Sequence, residues 1–231
     1  MSTIDRETMA TLPLEAGQRM DRATFHARYE AMPPGIKAEL IGGVVYMPSP
    51  LKMRHARFDS LAQFWLGSYR HHTPGTDVLG NASTALDDLG EPQPDVQLRI
   101  LPECGGQSSD FGGIVGGAPE FVLEVADTSR RVDLGPKLLD YERAGVREYV
   151  VMLIDPDEVA WHVRDGDRLV RVIPDADGVF RSKAFPGLWM DWRAFLRDDG
   201  QSLIATLDRG IATDEHVEFV AHLAKIRRTI A

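Results

Sequence analysis

The chain has 231 residues, of which 43% are hydrophobic and 26% charged, ordinary globular usage that argues against disorder of the whole chain. Its single cysteine, Cys104, excludes an internal disulfide and a zinc cluster built from thiolates. No apolar run approaches the roughly 18 residues of a membrane helix and the N-terminus lacks signal-peptide features, so we expect a cytoplasmic protein without a membrane partner. The net charge of −9 lowers the expectation of tight nucleic-acid binding, although an acidic metal site contributes negative charge that a bound cation offsets.

The first part of the chain predicts a lead-in, a helix, a hairpin and a second helix. Residues 1–19 indicate a loosely ordered lead-in, and residues 20–29 a short helix. Within residues 37–47, two apolar runs flank a Gly-Gly pair, which predicts a β-hairpin because glycine supplies the positive φ of a tight turn. Apolar side chains at helical spacing predict a helix over residues 55–69, and residues 71–93 are rich in turn formers.

The middle of the chain predicts two strands and a helix. Strands are predicted over residues 93–101 and 120–126, separated by a glycine-rich loop over residues 105–117. That loop lacks the Gly-Lys-Ser/Thr ending of a phosphate-binding loop, so we give it no nucleotide role. A helix is predicted over residues 134–144, with Asp133 as its N-cap and Gly145 as its stop signal.

The last part predicts a buried strand over residues 148–154, a hairpin over residues 159–173 and a final helix over residues 214–230 with an apolar stripe. Alternation of strands and helices predicts an α/β fold with a mixed β-sheet flanked by few helices. We expect one domain over residues 20–200, followed by a C-terminal helical extension over residues 201–231.

Two carboxylates stand out against the predicted strands. Glu124 lies in the middle of an otherwise apolar strand, where a lone carboxylate costs several kcal/mol unless it is paired or metal-bound. Asp95 lies at the start of the preceding strand. Each has an ordinary interpretation: Asp95 as a turn residue, and Glu124 as the ion-pair partner of a nearby arginine, namely Arg130, Arg131 or Arg147.

Lys137 is ordinarily a solvated helix lysine. However, a lysine in the first helical turn opposes the helix dipole by roughly 0.3–1 kcal/mol, and a nearby acidic site would explain its position. The order Pro94-Asp95, Glu124 and then a lysine is the order found in PD-(D/E)XK nucleases. Two carboxylates on adjacent strands, with the Val125 carbonyl, suit a hard cation such as Mg²⁺ or Mn²⁺.

Longer segments resemble one family of that superfamily, the Uma-two family of restriction-endonuclease-like proteins. The resemblance covers about residues 20–195 and is most specific over residues 133–149. The segments that carry it are AELIGGVVYMPSP, the following His55, QPDV, FVLEVADTS with the adjoining RRVDLGPKLLDYERAGVREYVV, and PGLW.

The resemblance implies a restriction-endonuclease-like fold and assigns roles to individual residues. It implies Asp95 and Glu124 as metal ligands and Lys137 as the active-site lysine, brought from the following helix because Ala126 fills the usual lysine position. Glu39 matches the family's hairpin glutamate, a further metal or water contact. His55 matches its helix-opening histidine, to which we assign no specific role.

The sequence departs from the family pattern at four positions: Gly42, Ala126, Asp127 and Pro136. Three functions stay open. The first is a Mg²⁺-dependent endonuclease acting on nucleic acid, with DNA as the expected substrate. The second is a nuclease-fold protein that binds nucleic acid or another partner without cutting, and the third is a hydrolase of another kind. The final helix is expected to cover the sheet or to form a homodimer contact.

Overall fold

The structure is a computed structural model that describes residues 12–48 and 52–230. In chain order the helices are α1 (Arg22–Glu30), α2 (Met53–His72), α3 (Arg130–Val132), α4 (Leu138–Ala144), α5 (Trp192–Leu196), α6 (Gly200–Ile211) and α7 (Asp214–Ile230). The strands are β1 (Glu39–Ile41), β2 (Val44–Tyr46), β3 (Thr76–Gly80), β4 (Thr84–Ala85), β5 (Val96–Ile100), β6 (Ser109–Phe111), β7 (Ile114–Gly116), β8 (Phe121–Ala126), β9 (Glu148–Leu153), β10 (Glu158–Asp165), β11 (Arg168–Val172), β12 (Val179–Arg181) and β13 (Trp189–Asp191). A 3₁₀ turn covers Pro102–Cys104, and a π-helical turn, Asp133–Lys137, joins α3 to α4.

A six-stranded sheet in the order β11-β10-β9-β8-β5-β3 forms the centre of the molecule. Strands β8 and β9 pair in parallel, and the other four neighbouring pairs are antiparallel. Helices cover both faces, so the predicted mixed α/β sheet is confirmed.

The two faces of the sheet bury different kinds of side chain, as the alternation along each strand requires. On one face, α2 contributes Trp65, which packs edge-to-face against Phe121 of β8 and Trp161 of β10. On the other face, α4 contributes Tyr141, which packs against Tyr149 of β9 with ring centroids 4.8 Å apart. Replacing Trp65 by alanine would cost about 3–5 kcal/mol, because it is fully buried.

The predicted hairpin is confirmed as β1–β2, with Gly42 and Gly43 at φ of 57° and 73°. The Gly42 amide donates a hydrogen bond to Asp140 Oδ2 at 2.6 Å, which ties the turn to α4. An acidic side chain thus reaches this turn from α4. The hairpin thereby carries Glu39 over one end of the sheet.

Part of the predicted lead-in is packed against this hairpin. Residues 1–11 lie outside the described residues. Leu14 is buried, and the Gly17 amide donates a hydrogen bond to the Val45 carbonyl at 2.8 Å. The contacts show that the chain joins the domain before residue 20.

Several strands were missed by the sequence prediction, namely β3, β4, the β6–β7 hairpin and the β12–β13 pair. Residues 71–93 contain β3, an edge strand whose Val78 packs on the core; a strand of five residues is too short for a clear alternation. The predicted loop over residues 105–117 contains the β6–β7 hairpin, turned by Gly112 and Gly113 at φ of 66° and 92°. The same Gly-Gly signal as in β1–β2 was available there.

The predicted helix over residues 134–144 has a wrong start. The helical segment begins at Arg130, so Asp133 is an internal, buried residue rather than an N-cap. Pro136 lacks the amide that an α-helix would bond to the fourth preceding carbonyl, which accounts for the wider π turn at this point. Lys137 consequently lies well inside the helical segment, and the helix-dipole argument does not apply to it. Gly145 ends α4 at φ 98°, as predicted.

The C-terminal helices belong partly to the main core. Leu203 and Leu207 of α6 are fully buried in the same apolar cluster as α2. Helix α7 contributes Leu223, whereas Val217 of the predicted apolar stripe is 61% exposed, so that part of the stripe is wrong. None of the helices described is both long and apolar enough to cross a membrane.

Candidate active site

A cleft of about 800 Å³ lies beside the β1–β2 hairpin, the start of α2 and the end of β8. The five residues singled out from the sequence all line it: Glu39, His55, Asp95, Glu124 and Lys137. Val125 and Asp133 line it as well. Residues from distant parts of the chain therefore meet at one place.

The pairing of β5 with β8 brings the two carboxylates together. The antiparallel register pairs Val96 with Leu123, so the next positions along the strands are Asp95 and Glu124. The Val125 amide donates to Asp95 Oδ2 at 2.7 Å, and the Asp95 amide approaches Glu124 Oε2 at 3.4 Å. Both acidic side chains thus belong to one polar junction at the cleft.

Glu124 is 3% exposed and is held by two side chains of the following helical segment. Its Oε1 accepts hydrogen bonds from Lys137 Nζ at 2.9 Å and from the Tyr141 hydroxyl at 3.0 Å. The ordinary interpretation of Glu124 as the partner of a nearby arginine is therefore wrong, because a lysine and a tyrosine hold it instead.

Lys137 lies between acidic side chains rather than in solvent. Its Nζ is 2.9 Å from Glu39 Oε1, 2.9 Å from Glu124 Oε1 and 3.9 Å from Asp133 Oδ1. Burial lowers the pKa of Lys137, but the charges of Glu124, Glu39 and Asp133 outweigh it and hold the pKa well above its ordinary value. The side chain is an ammonium group at neutral pH, and the solvated-lysine interpretation is wrong.

The cleft carries more negative than positive charge. Burial raises the pKa of Glu124 well above its ordinary value; Lys137 opposes this, while Asp95, Asp133 and Glu39 add to it. Burial likewise raises the pKa of Asp133 to about 6, against the opposing effect of Lys137. Three acidic side chains, Glu39, Glu124 and Asp133, surround Lys137, and Asp95 lies beside Glu124, an arrangement that favours an additional cation.

His55 contacts one of the predicted metal ligands directly. Its Nε2 is 3.4 Å from Asp95 Oδ2. Burial lowers the pKa of His55, but the hydrogen bond and charge of Asp95, with the charge of Asp59, raise it above its ordinary value. Nδ1 is buried and has no hydrogen-bond partner among the described residues.

The donor chemistry of the site fits a hard divalent cation. Glu124 Oε2, the Asp95 carboxylate and the Val125 carbonyl are all oxygen donors, the type that Mg²⁺ and Mn²⁺ prefer. Within the part of the chain that the structure describes, no three acidic, histidine or cysteine side chains form a ready-made metal cluster. The fit thus depends on two carboxylates and a backbone oxygen.

Sequence reasoning missed two residues of the site, Asp133 and Tyr141. Both are four residues from Lys137, the spacing that places side chains on one helical face. That spacing was visible in the sequence, but assigning Asp133 to the helix cap hid it. Of the departures from the family pattern, Asp127 lies on the cleft wall and pairs with Lys52 at 3.4 Å.

Comparisons with known proteins concern the family and the fold of the chain. The model of the Uma2 family, described as "Putative restriction endonuclease", matches residues 23–193. The chain matches none of the curated proteins compared with it. Among solved structures it is similar to one described as a "putative nuclease belonging to DUF820" from Anabaena variabilis, with 13% identity and a TM-score of 0.58, over 73% of this chain and 96% of the other.

The structural similarity, at so low an identity, shows a shared fold: a central mixed sheet flanked by helices. The family match covers most of the chain and includes Glu39, His55, Asp95, Glu124 and Lys137. The chain therefore belongs to the Uma2 family.

Proposed function

We propose that the protein is a divalent-cation-dependent endonuclease that hydrolyses phosphodiester bonds, with Mg²⁺ or Mn²⁺ as its cation and DNA as its substrate. The observation that carries the proposal is the placement of Asp95 beside Glu124 on adjacent strands, in a cleft whose acidic side chains outnumber its lysines. Membership of a restriction-endonuclease family supports the same reaction class.

The Asp95 carboxylate, Glu124 Oε2 and the Val125 carbonyl would hold the cation. When bound, the cation would act as a Lewis acid that polarises the scissile phosphate and lowers the pKa of a coordinated water. His55 Nε2 lies 3.4 Å from Asp95 Oδ2, so it helps to hold that carboxylate in place before the cation binds.

Lys137 supplies fixed positive charge. Because its pKa is raised, it stays protonated and acts as a hydrogen-bond donor that stabilises the charge developing on phosphate oxygens, not as a general base. Glu39 orients it: Glu39 Oε1 accepts from the Gln93 amide at 2.7 Å and lies 2.9 Å from Lys137 Nζ. The hairpin thereby fixes the lysine against Glu124.

One observation favours the second candidate, a protein that binds nucleic acid without cutting it. Lys137 already forms close ion pairs with Glu39 and Glu124, and this pairing satisfies much of the acidic charge without a metal. A non-cutting protein of this fold would bind nucleic acid equally well with and without divalent cations.

Cleavage assays on supercoiled plasmid DNA and on a labelled RNA separate these candidates. Each substrate is incubated with purified protein in Mg²⁺, in Mn²⁺ and in EDTA, beside the Asp95→Asn variant. We expect DNA cleavage that needs the cation and is lost in Asp95→Asn. Intact DNA and RNA under all conditions, with metal-independent retention in a gel shift, would favour the binding protein instead.

A further inference from the structure

The helical segment after β8 presents two donors on one face. Lys137 is the last residue of the π turn and Tyr141 lies in α4, four residues later, so their side chains project to the same side. Both reach Glu124 Oε1, with Nζ at 2.9 Å and the hydroxyl at 3.0 Å. One carboxylate oxygen thus receives both donors.

The other oxygen of Glu124 is left for a different partner. Among the described residues, Glu124 Oε2 is approached only by the Asp95 amide at 3.4 Å, a long and weak contact. The terminal torsion of a glutamate is broad, so a carboxylate without fixed donors samples many orientations. Two donors on Oε1 restrict that rotation and direct Oε2 towards Asp95.

The tyrosine hydroxyl has no other use that the described contacts reveal. Tyr141 is fully buried and its ring packs against Tyr149, a role that a phenylalanine ring would also fill. Within the described residues, Glu124 is the hydroxyl's one hydrogen-bond partner. The hydroxyl therefore matters through the carboxylate that it contacts.

We infer that Tyr141 is a positioning residue of the candidate metal centre, whose hydroxyl holds Glu124 so that Oε2 is available to a divalent cation. The inference rests on the proposed function, since it concerns the same cation. It assigns Tyr141 no contact with the substrate or the cation. Its effect is on metal affinity, because partners that orient a ligand typically change affinity by about 10–100-fold.

The test is a Mn²⁺ titration by isothermal calorimetry on wild type, Tyr141→Phe and Tyr69→Phe. Tyr69 is the matched control: it is also fully buried, and its hydroxyl donates to the Pro186 carbonyl at 2.8 Å in the opposite layer. We expect the Mn²⁺ dissociation constant to rise about 10-fold in Tyr141→Phe and to stay unchanged in Tyr69→Phe.

A second readout separates positioning from a general loss of folded protein. In Tyr141→Phe the cation concentration for half-maximal cleavage should rise about 10-fold, while kcat at saturating cation stays near that of wild type. Mn²⁺ binding that is equal in Tyr141→Phe and wild type would overturn this inference alone. If wild type binds no Mn²⁺, or if binding survives in Asp95→Asn, the proposed function fails and this inference fails with it.

Discussion

Two buried glutamates on neighbouring parallel strands have opposite surroundings. Glu124 of β8 lines the open cleft, and charged or phenolic side chains hold one of its oxygens. Glu148 of β9 is fully buried on the other side of the sheet, and its Oε1 accepts from the backbone amides of Lys183 and Ala184 at 2.5 and 3.0 Å.

Burial raises the pKa of both side chains, in Glu148 to about 7 and in Glu124 well above its ordinary value. A buried carboxylate with a raised pKa is therefore not sufficient to mark a reactive site. Three features distinguish Glu124 from Glu148: access from a cleft, a second carboxylate beside it, and an ammonium group that donates a hydrogen bond to it. The comparison predicts that Glu124 serves chemistry and Glu148 serves the fold.

Matched amide substitutions give the largest expected difference between the two. Glu124→Gln should reduce cation-dependent cleavage by about 10³-fold or more, because an amide is a poor substitute for a charged ligand that supplies several kcal/mol. Glu148→Gln keeps an acceptor oxygen for both backbone amides and should cleave at the wild-type rate. Single-turnover cleavage at saturating Mg²⁺ measures the rates of both variants. Equal losses of rate would contradict the different roles of Glu124 and Glu148.

Replacing Lys137 tests the ion pair that holds Glu124. Lys137→Met leaves Glu39 and Glu124 buried without their cation, which should destabilise the cation-free protein by about 3–5 kcal/mol. Mg²⁺ should restore part of the loss, because a bound cation replaces the missing charge and stabilises the folded state. Thermal melts with and without Mg²⁺ measure this, with the exposed Lys225→Met on α7 as control. An unchanged melting temperature for Lys137→Met would contradict it.

The smallest expected effect concerns Glu148. It is a change with pH in the free energy of unfolding. The pKa of Glu148 is raised from 4.5 to about 7 in the folded protein. Between these two pH values the folded protein keeps a proton on Glu148 that the unfolded chain has already released. Its contribution to stability is therefore present below pH 4.5 and is lost as the pH rises to about 7, by up to about 3 kcal/mol.

Glu148→Gln cannot lose that proton. Relative to wild type, the variant should gain stability between pH 5 and pH 8, measured as the difference in unfolding free energy by urea denaturation at both values. Taking the difference cancels the contributions of Glu124, Asp133 and other groups common to both proteins. A difference that does not change with pH would show that Glu148 is ionised in the folded state throughout.

The sequence was sufficient to find Glu124 because a charged residue in the middle of an apolar strand is conspicuous. Asp95 directly precedes β5 and Glu39 begins β1, positions where acidic residues are ordinary. The resemblance to a family was what indicated a functional role for them. Glu148 also starts its strand; the strand was predicted to be buried, but its first side chain was not singled out as a buried carboxylate. Register between strands, which joins Asp95 to Glu124, depends on packing across the whole sheet.

The helix after β8 shows why the rest of the site was harder to predict. A π turn at Pro136 changes the local helical geometry, and rules based on helix propensity do not predict such a turn. Asp133 therefore appeared as a cap although it is buried near Lys137, and Tyr141 was not singled out. Strand β3 was missed for a related reason, since packing rather than pattern determines a five-residue edge strand.

A crystal of the protein soaked in Mn²⁺, with the anomalous signal of the metal, tests the central claim most directly. The account predicts one strong peak in the cleft, about 2.1 Å from a carboxylate oxygen of Asp95 and from Glu124 Oε2, with Lys137 and Tyr141 still on Oε1. A cleft without a peak, or a peak bound by other residues while Asp95 and Glu124 stay in their metal-free contacts, would contradict it.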